Sequence, residues 1–306
     1  MTTAFLFSGQ GSQFPGMGKA LCEAHPELSS IFDTASSVLD LDLKELCWNG
    51  SEAELAQTAV SQPAIMAVSL MAFEAAKLHG LAPDAVAGHS LGEYAAMAAS
   101  GMLSLEDGFT VIKARAKAMQ TCAEETPGGM CAVLGKSPEE IGAACSRASG
   151  YVIPVNYNSP AQTVIAGTPE GVEEACVLLS EIGAKTIRLN VSAAFHSKLM
   201  QPAADAFYES IKNVTFKAPS VPFYSNVYGD ELKDFSSMPE LLARHIVSPV
   251  LFTAELEKLS AQGCVNFIEC GPGKVLTGLV KKTLKGVNAL NIEDAASLEK
   301  AAALNV

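Results

Sequence analysis

The pentapeptide Gly88-His89-Ser90-Leu91-Gly92 carries the pattern G-x-S-x-G, in which a serine can act as a nucleophile. The apolar run 84–87 before it predicts a buried strand, and residues 91–100 after it predict a helix. On such a strand-to-helix turn the serine hydroxyl is held clear of the backbone, and a side chain at either flanking glycine would collide with the neighbouring strand or helix. The helix N-terminus also directs N–H groups towards Ser90, where negative charge would develop. A Gly-Ser turn without chemistry is the alternative, and the strand–turn–helix context favours the nucleophile.

A serine nucleophile needs a base, and histidine titrates nearest to neutral pH. The histidines of the chain are His25, His79, His89, His196 and His245. The first three lie in a surface-like segment, at a predicted helix end, and next to the serine on a turn whose adjacent side chains point apart. His196 follows a predicted strand and precedes a predicted helix, at a junction where catalytic groups from two layers can meet. We therefore predict that His196 is the base.

Two glycines within three positions, Gly9 and Gly11, follow the apolar strand predicted for residues 3–8. Glycines let a backbone approach another group closely. The phosphate-loop pattern G-x-x-x-x-G-K-[ST] is absent, and G-x-G-x-x-G is absent because Phe14 stands at the third glycine position. We interpret loop 9–13 as a second wall of the site.

The elements around the serine are mainly helical. Residues 55–73 carry no charge, but polar residues and Pro63 interrupt them, so we expect one buried helix that is too short to span a bilayer. That helix is predicted for residues 64–78, starting just after Pro63. A further helix over 105–123 carries Arg115, whose spacing alone favours a solvated face. The alanine-rich C-terminal tail need not be ordered.

Residues 128–194 contain a separate succession of predicted elements, in the order β-α-β-β-α-β. Segment 156–160 is predicted to connect the two middle strands. This order is that of a ferredoxin-like unit. We therefore predict a compact ferredoxin-like subdomain at residues 128–194, inserted into a larger α/β domain that consists of residues 1–127 and 195–306.

Composition excludes several classes of protein. The chain has 306 residues, 49% of them hydrophobic and 18% charged, with a net charge of −12. It is an ordinary globular chain, and its negative charge argues against nucleic acid as a partner. Eight cysteines without a C-x-x-C pair indicate reduced core thiols, not a disulfide framework or a zinc site. Since the first residues also lack the features of a signal peptide, we expect a cytoplasmic protein with no membrane partner.

Seven motifs together resemble the malonyl-CoA:acyl carrier protein transacylase family and the related acyltransferase domains of fatty acid and polyketide synthases. They occur in family order and with family spacing over essentially the whole chain. The motifs are Gly9-Gln-Gly-Ser-Gln13, Gln62-Pro-Ala-Ile65, Gly88-His-Ser-Leu-Gly-Glu-Tyr94, Arg115, Asn158-Ser-Pro160, Ala194-Phe-His-Ser197 and Glu269-Cys-Gly-Pro-Gly-Lys274. The resemblance implies a hydrolase-like α/β core with a parallel sheet and a ferredoxin-like insert. The periodicity separately predicts the insert within a larger α/β domain.

The resemblance also implies roles for individual residues. Ser90 would be the nucleophile and His196 its general base. Backbone N–H groups of Gln10 and Leu91 would form the oxyanion hole. Arg115 matches the residue that binds the malonyl carboxylate, which a planar guanidinium can hold bidentately. This implication outweighs the solvated face that helical spacing favours.

Three further positions follow from the same resemblance. Phe195 matches a position associated with malonyl over branched malonyl units, and Met119 matches another position of the acyl pocket. His245, in the segment 244–250, stands where the family has glutamine. That position supports the catalytic histidine largely through its backbone carbonyl. Because a carbonyl survives substitution, we expect His245 still to orient His196.

The implied activity is transfer of malonyl from malonyl-CoA to the phosphopantetheine thiol of an acyl carrier protein, through a malonyl-serine ester. No metal or bound cofactor is implied, and we expect a monomer. An enzyme of fatty acid synthesis and a discrete acyltransferase of a polyketide synthase both remain open. A serine esterase or thioesterase is a rival, for which an acid such as Asp107 would have to be well placed. A non-catalytic module that binds carrier proteins is the third alternative.

Acyl carrier proteins are generally acidic, so a chain with a net charge of −12 needs a local basic patch to recognise one. Two groups of basic residues are available, one on the last predicted helix and one beside the insert and the base. They are Lys281, Lys282 and Lys285 in the first group, and Lys185, Arg188 and Lys198 in the second.

Overall fold

The computed structural model describes residues 2–305, which form a mixed α/β fold. The strands are β1 (Thr2–Phe7), β2 (Ala85–Gly88), β3 (Gly129–Leu134), β4 (Val152–Ser159), β5 (Gln162–Gly167), β6 (Lys185–Arg188), β7 (Tyr224–Ser225), β8 (Asp230–Glu231), β9 (Cys264–Cys270) and β10 (Asn288–Ile292). The α-helices are α1 (Lys19–Ala24), α2 (Ser29–Leu39), α3 (Leu43–Asn49), α4 (Glu52–Ala56), α5 (Thr58–Leu78), α6 (Gly92–Ala99), α7 (Leu105–Glu125), α8 (Pro138–Arg147), α9 (Pro169–Glu181), α10 (Gln201–Ile211), α11 (Met238–Val247), α12 (Phe252–Ala261), α13 (Val275–Thr283) and α14 (Ala295–Ala302).

One four-stranded sheet is parallel, as predicted, with the strand order β10-β9-β1-β2. Its register places Phe7 opposite both Gly88 and Cys270, so β1, β2 and β9 end side by side. Ligand sites of open α/β sheets form at the carboxyl ends of the strands. The loops that follow these three strands carry the glycine loop, the serine turn and the segment 271–274. Three of the sequence motifs therefore lie at one edge of the sheet.

Helix α5 is longer than predicted and runs through the core. It begins at Thr58, so Pro63 lies inside the helix and does not start it. Proline removes one backbone hydrogen bond there, and burial of nearly every side chain from 61 to 76 stabilises the helix by packing. By length and composition α5 could cross a membrane, which corrects the expectation that it is too short. However, 83% of its apolar window is buried inside the protein.

The second four-stranded sheet is antiparallel, with the strand order β4-β5-β3-β6 and with α8 and α9 packed against it. The predicted order of strands and helices is confirmed for residues 129–188. Residues 156–159, however, belong to β4 and are not part of a connection. They stay extended because they pair with β5 on one side, and Val250, between α11 and α12, pairs with them on the other. The Val250 N–H donates to the Val155 carbonyl at 2.8 Å, and the Tyr157 N–H donates to the Val250 carbonyl at 2.9 Å.

Three elements near the C-terminus, α12, β10 and α14, are not predicted by the sequence patterns. Helix α14 is capped by Asp294, whose side chain accepts the Ser297 N–H at 2.7 Å. Leu298 and Ala301 of this helix are buried. The expectation that the tail need not be ordered is therefore wrong for the part that the structure describes. Conversely, a strand-like run over 219–226 contributes only the two residues of β7.

Candidate active site

Ser90 lies on a strained turn between β2 and α6. Its φ is 54°, in the left-handed region that residues other than glycine rarely adopt. A Cβ on Gly88 would lie 2.1 Å from the Gly92 carbonyl carbon, and a Cβ on Gly92 would lie 2.1 Å from the Phe7 carbonyl oxygen. Only glycine fits on either side of the serine. The predicted sharp strand-to-helix turn is confirmed.

His196 is the histidine that the structure places against Ser90. Its Nε2 is 2.8 Å from Ser90 Oγ, and its Nδ1 is 3.1 Å from both the His245 and the Ser248 carbonyl oxygens. Carbonyl oxygens can only accept hydrogen bonds, so Nδ1 carries the proton and Nε2 can accept the serine proton. His196 has a φ of 63°, so both members of the pair adopt left-handed backbone conformations.

The imidazole of His196 is neutral at physiological pH. Burial, followed by the positive charge of Arg115, lowers the pKa of His196 to about 3. Burial also lowers the pKa values of His89 and His245. The positive charge beside Ser90 therefore comes from Arg115.

Arg115 reaches Ser90 from helix α7 and is only 1% exposed. Its Nη1 donates to Gln62 Oε1 at 2.7 Å, and its Nη2 donates to Ser90 Oγ at 3.1 Å. The guanidinium carbon lies 5.1 Å from the centre of the Tyr94 ring. These bonds use two of the five guanidinium N–H groups, and Nε has no protein partner among the described residues. The solvated face that helical spacing favours is wrong.

Loop 9–13 packs directly against the serine turn. A Cβ on Gly9 would lie 2.7 Å from the His89 carbonyl oxygen and 2.9 Å from His89 Nδ1, so only glycine allows the approach. Ser12 Oγ fixes the loop by donating to the Gly9 carbonyl at 2.8 Å. Within residues 2–305, neither the Gln10 nor the Leu91 N–H donates to a protein acceptor. Gln10 and Ser90 line the same cavity.

That cavity has a volume of about 270 Å³ and opens onto Ser90 and His196. Met119 and Phe195, the positions assigned to the acyl pocket, both line it. Met119 is held by Gln62, whose Nε2 donates to Met119 Sδ at 3.4 Å. The structure thus brings both pocket positions to the serine.

The His245 side chain is fully buried beside His196, with the ring centres 5.3 Å apart. Its Nδ1 lies 3.3 Å from Glu93 Oε2, but neither ring nitrogen is aligned for a hydrogen bond with any described residue. Burial lowers the pKa of His245 well below its ordinary value and raises the pKa of Glu93 to about 8. At pH 7 the contact therefore joins a neutral imidazole to a mostly protonated carboxyl group and is not an ion pair. The carbonyl of His245 lies where the resemblance implies.

The other candidate residues do not pair with Ser90 in this way. His25 and His79 pack against each other, with ring centres 5.2 Å apart. His89 Nε2 lies 2.8 Å from Asn158 Oδ1, so its ring points towards β4. Asp107, the acid that an esterase would need, is exposed and caps helix α7 through Ser104.

Several contacts of the site are not predicted from the sequence. Asn226 Oδ1 accepts the Ser90 N–H at 2.7 Å, and the Ser248 carbonyl shares the His196 Nδ1–H. Gln62 belongs to one of the seven motifs, although its contact with Arg115 is visible only in the structure. Asn226 has no such signal, since it is one polar residue at the end of a short strand.

Residues 4–302 match the family model of the acyl transferase domain, and the chain belongs to this family. The malonyl CoA-acyl carrier protein transacylase of Bacillus subtilis (strain 168) is 41% identical over 302 residues, which are 97% of this chain and 95% of that protein. The family resemblance inferred from the seven motifs is confirmed.

Solved structures agree with this assignment. The malonyl CoA-acyl carrier protein transacylase from Clostridium perfringens has a TM-score of 0.95 and 38% identity, and the match covers 100% of this chain and 97% of that one. A malonyl-transacylase in complex with its type II polyketide synthase acyl-carrier protein has a TM-score of 0.96 and 37% identity, with all of both chains covered.

Proposed function

We propose that this protein transfers a malonyl group from malonyl-CoA to the phosphopantetheine thiol of an acyl carrier protein, through an ester on Ser90, for fatty acid synthesis. The observation that carries the proposal is the position of Ser90 Oγ, within hydrogen-bond distance of both neutral His196 and the buried Arg115 cation. A base alone would serve any serine hydrolase. A buried cation beside the nucleophile suits an anionic acyl group. The names of the relatives support the same substrates.

In the first half-reaction His196 Nε2 takes the Ser90 proton while Oγ attacks the thioester carbonyl of malonyl-CoA. The N–H groups of Gln10 and Leu91 would stabilise the oxyanion. His196 then returns the proton to the departing coenzyme A thiolate. In the second half-reaction the phosphopantetheine thiol gives its proton to His196 and attacks the ester, and Ser90 leaves with that proton.

Arg115 would bind the malonyl carboxylate. Its guanidinium is shielded from water and keeps N–H groups free of protein acceptors, so a charge-assisted, bidentate pair can form. The carboxylate would also compensate the cation that contributes to the low pKa of His196. Binding of a malonyl group would therefore make the imidazole a stronger base. An acetyl group would have neither effect.

We further propose a hydrolase-like catalytic core with a ferredoxin-like subdomain at residues 128–194. The strand order β4-β5-β3-β6, with two helices packed against the sheet, supports the subdomain assignment. The two ends of the insert adjoin, since the Gly128 N–H donates to the Ser192 carbonyl at 2.9 Å. A Cβ on Gly128 would lie 2.5 Å from Ala194 N. An insert whose ends meet can be accommodated without disturbing the core.

The carrier protein would dock on the basic group beside the insert. Lys185 lies on β6, which leads directly into the cavity-lining segment 189–191. Lys198 follows shortly after the cavity-lining His196. Arg188 is already paired with Glu173 and contributes less net charge.

The other basic group lies at the wrong end of a helix. Helix α13 starts after the carboxyl end of β9 and leads back to the start of the parallel strand β10, so Lys281 and Lys282 in its last turn lie towards the opposite edge of the sheet. Charge reversal at Lys185 and Lys198 should slow transfer to the carrier protein, most strongly at low salt, and leave acylation by malonyl-CoA intact. Reversal at Lys281 and Lys282 is the matched control. Equal slowing by the two pairs would contradict this docking site.

Intact-protein mass spectrometry tests the proposed reaction. Malonyl-CoA should add one malonyl group to the wild type and none to Ser90→Ala, with the fold unchanged by circular dichroism. The ester should persist until a carrier protein with its phosphopantetheine arm accepts the group. A malonylated Ser90→Ala protein would exclude Ser90 as the nucleophile. Rapid loss of malonate to water would instead favour an esterase, and carrier proteins from fatty acid and polyketide synthesis would distinguish those two pathways.

A further inference from the structure

Asn226 holds the backbone of the serine turn through its side-chain amide. It is fully buried after β7, and its Oδ1 accepts the Ser90 N–H at 2.7 Å. Its Nδ2 donates to the Gly88 carbonyl at 2.7 Å and to Glu255 Oε1 at 2.6 Å. Because the Ser90 N–H can only donate and the Gly88 carbonyl can only accept, the orientation of the amide is fixed. Asn226 therefore braces the strained turn at two points.

Glu93 connects this brace to the support of the base. One of its oxygens accepts the Asn226 backbone N–H, and the other lies 3.3 Å from His245 Nδ1. His245 in turn supplies the carbonyl that accepts the His196 Nδ1–H at 3.1 Å. The contacts thus run from Ser90 through Asn226, Glu93 and His245 to His196. They close at the 2.8 Å contact between Ser90 Oγ and His196 Nε2.

Glu93, in this ring of contacts, and Glu255, beside it, are buried carboxyl groups. Burial raises the pKa of Glu93 to about 8, so Glu93 is mostly protonated at pH 7, and raises that of Glu255 well above its ordinary range. The other titratable groups close to Glu93 are Arg115, Tyr94 and His245, of which Arg115 carries a charge. A neutral acid loses much less solvation on burial than a carboxylate does. Glutamine can therefore replace Glu93 at pH 7 with little change in shape or charge.

We infer that Asn226 and Glu93 are positioning residues, which set the distance and angle between the Ser90 and His196 side chains for proton transfer. The inference rests on the proposed function in one respect, that Ser90 is the nucleophile and His196 its base. Neither Asn226 nor Glu93 lines the cavity, and every hydrogen-bonding group of the Asn226 amide is already used by the protein. Their loss should therefore lower the rate of acylation without weakening the binding of malonyl-CoA.

Rapid-quench acylation by malonyl-CoA, read by intact mass, gives the maximal rate and the half-saturating concentration. Asn226→Ala should lower the maximal rate about a hundredfold, the effect of roughly 1 Å of misplacement. The half-saturating concentration should change less than about twofold, because the cavity is untouched. If Asn226 had only a structural role, its loss would not lower the maximal rate while leaving the half-saturating concentration unchanged.

Asn226→Asp keeps an acceptor for the Ser90 N–H but turns an oxygen towards the Gly88 carbonyl. Its maximal rate should be low at about pH 7 and recover in part at about pH 5, as the new carboxyl becomes protonated and can donate. The wild-type rate should not change over that range, since His196 stays neutral and Glu93 stays mostly protonated. This isosteric variant decides the question if Asn226→Ala does not fold.

Glu93 is tested by a conservative and a disruptive change. Glu93→Gln keeps an acceptor for the Asn226 N–H and a polar contact with His245, so it should retain at least about half of the maximal rate. Glu93→Ala loses both contacts and should slow acylation about tenfold or more.

Asn266 provides the matched control. It is buried in β9 and its Nδ2 donates to Thr3 Oγ1 at 3.4 Å, towards the opposite end of the sheet. Asn266→Ala should lower Tm and leave the acylation rate unchanged.

Labelling of Ser90 by a fluorophosphonate gives a second readout that needs no acyl-CoA. A wild type that is labelled but not malonylated would refute the proposed substrate, while the labelling rates of the variants would still test the positioning. The inference is overturned if folded Asn226→Ala, or Asn226→Asp at about pH 7, reacts within about threefold of the wild type. It is also overturned if Glu93→Ala reacts as fast as Glu93→Gln.

Discussion

Replacing Arg115 by alanine should remove the preference for malonyl-CoA over acetyl-CoA. The guanidinium is 1% exposed and is held by Gln62 and Ser90, with N–H groups left over. A malonyl carboxylate completes its bonding, whereas an acetyl group leaves the buried cation without a counter-ion. Without Arg115 the malonyl carboxylate becomes the unpaired charge. Acetyl-CoA should then be a better substrate than malonyl-CoA.

The size of the effect follows from the burial of the pair. Removing one partner of a buried ion pair costs about 3–5 kcal/mol, and about 1.4 kcal/mol corresponds to a factor of ten. For Arg115→Ala, kcat/KM with malonyl-CoA should therefore fall between roughly a hundredfold and a few thousandfold. The value with acetyl-CoA should stay constant or rise. Arg115→Lys keeps the charge but loses the planar, bidentate geometry. Its kcat/KM with malonyl-CoA should lie between those of the wild type and Arg115→Ala.

The same variant has a signature in its pH dependence. After burial, the Arg115 cation is the next cause of the low pKa of His196. Loss of the cation moves that pKa upwards, so acetylation of Arg115→Ala should decline at a higher pH on acidification than acetylation of the wild type. Single-turnover acylation with both acyl-CoA esters across the acidic range measures both effects. Lys117→Ala, an exposed change on the same helix, is the control. Equal losses for malonyl and acetyl would refute a role of Arg115 in binding the carboxylate.

Three further predictions concern the serine turn and the base. The wild-type acylation rate should stay flat from about pH 7 to about pH 5, because the pKa of His196 is about 3. If the acylation rate fell to half near pH 6.5, at the ordinary histidine pKa of about 6.5, burial of the imidazole would be contradicted. Gly92→Ala should gain about 1 kcal/mol of helix propensity but lose about 3 kcal/mol from the clash with the Phe7 carbonyl, so Tm should fall. An unchanged Tm would mean that the backbone of the turn can shift to accommodate the added methyl group. His245→Gln should keep acylation within about threefold, because a backbone carbonyl holds His196, whereas His196→Ala should lose about a hundredfold or more. Comparable losses in the two variants would assign a role to the His245 ring.

Much of the site can be predicted from the sequence because its parts are local. The Ser90 turn needs glycine at 88 and 92 on steric grounds, and the pattern G-x-S-x-G shows this requirement directly. Gly9 likewise indicates a close backbone approach, although the sequence does not name His89 as the group approached. The parallel register of β1, β2 and β9 then brings separate local signals to one edge.

The remaining features depend on contacts between distant segments. Helical spacing places Arg115 between the exposed Lys113 and Lys117 and cannot show that its own face meets the core. Asn226 has its role only because a short strand ends beside the serine turn. Pro63 suggests a helix start because local sterics favour one there, and packing of α5 outweighs the lost hydrogen bond. Such tertiary effects leave no mark in a local pattern.

In the proposed mechanism the base and the acyl selectivity depend on each other through charge. A carboxylate at His196 Nδ1 would make the imidazole a stronger base, but it would also place a negative charge close to Arg115 and compete with the malonyl carboxylate. Two backbone carbonyls orient the ring without a full charge. Glu93, a carboxyl near this cluster, has its pKa raised to about 8 by burial and so is mostly uncharged at pH 7. Arg115 therefore stays uncompensated until an acyl group brings its own carboxylate, and the weakness of His196 as a base in the free protein helps to select that acyl group.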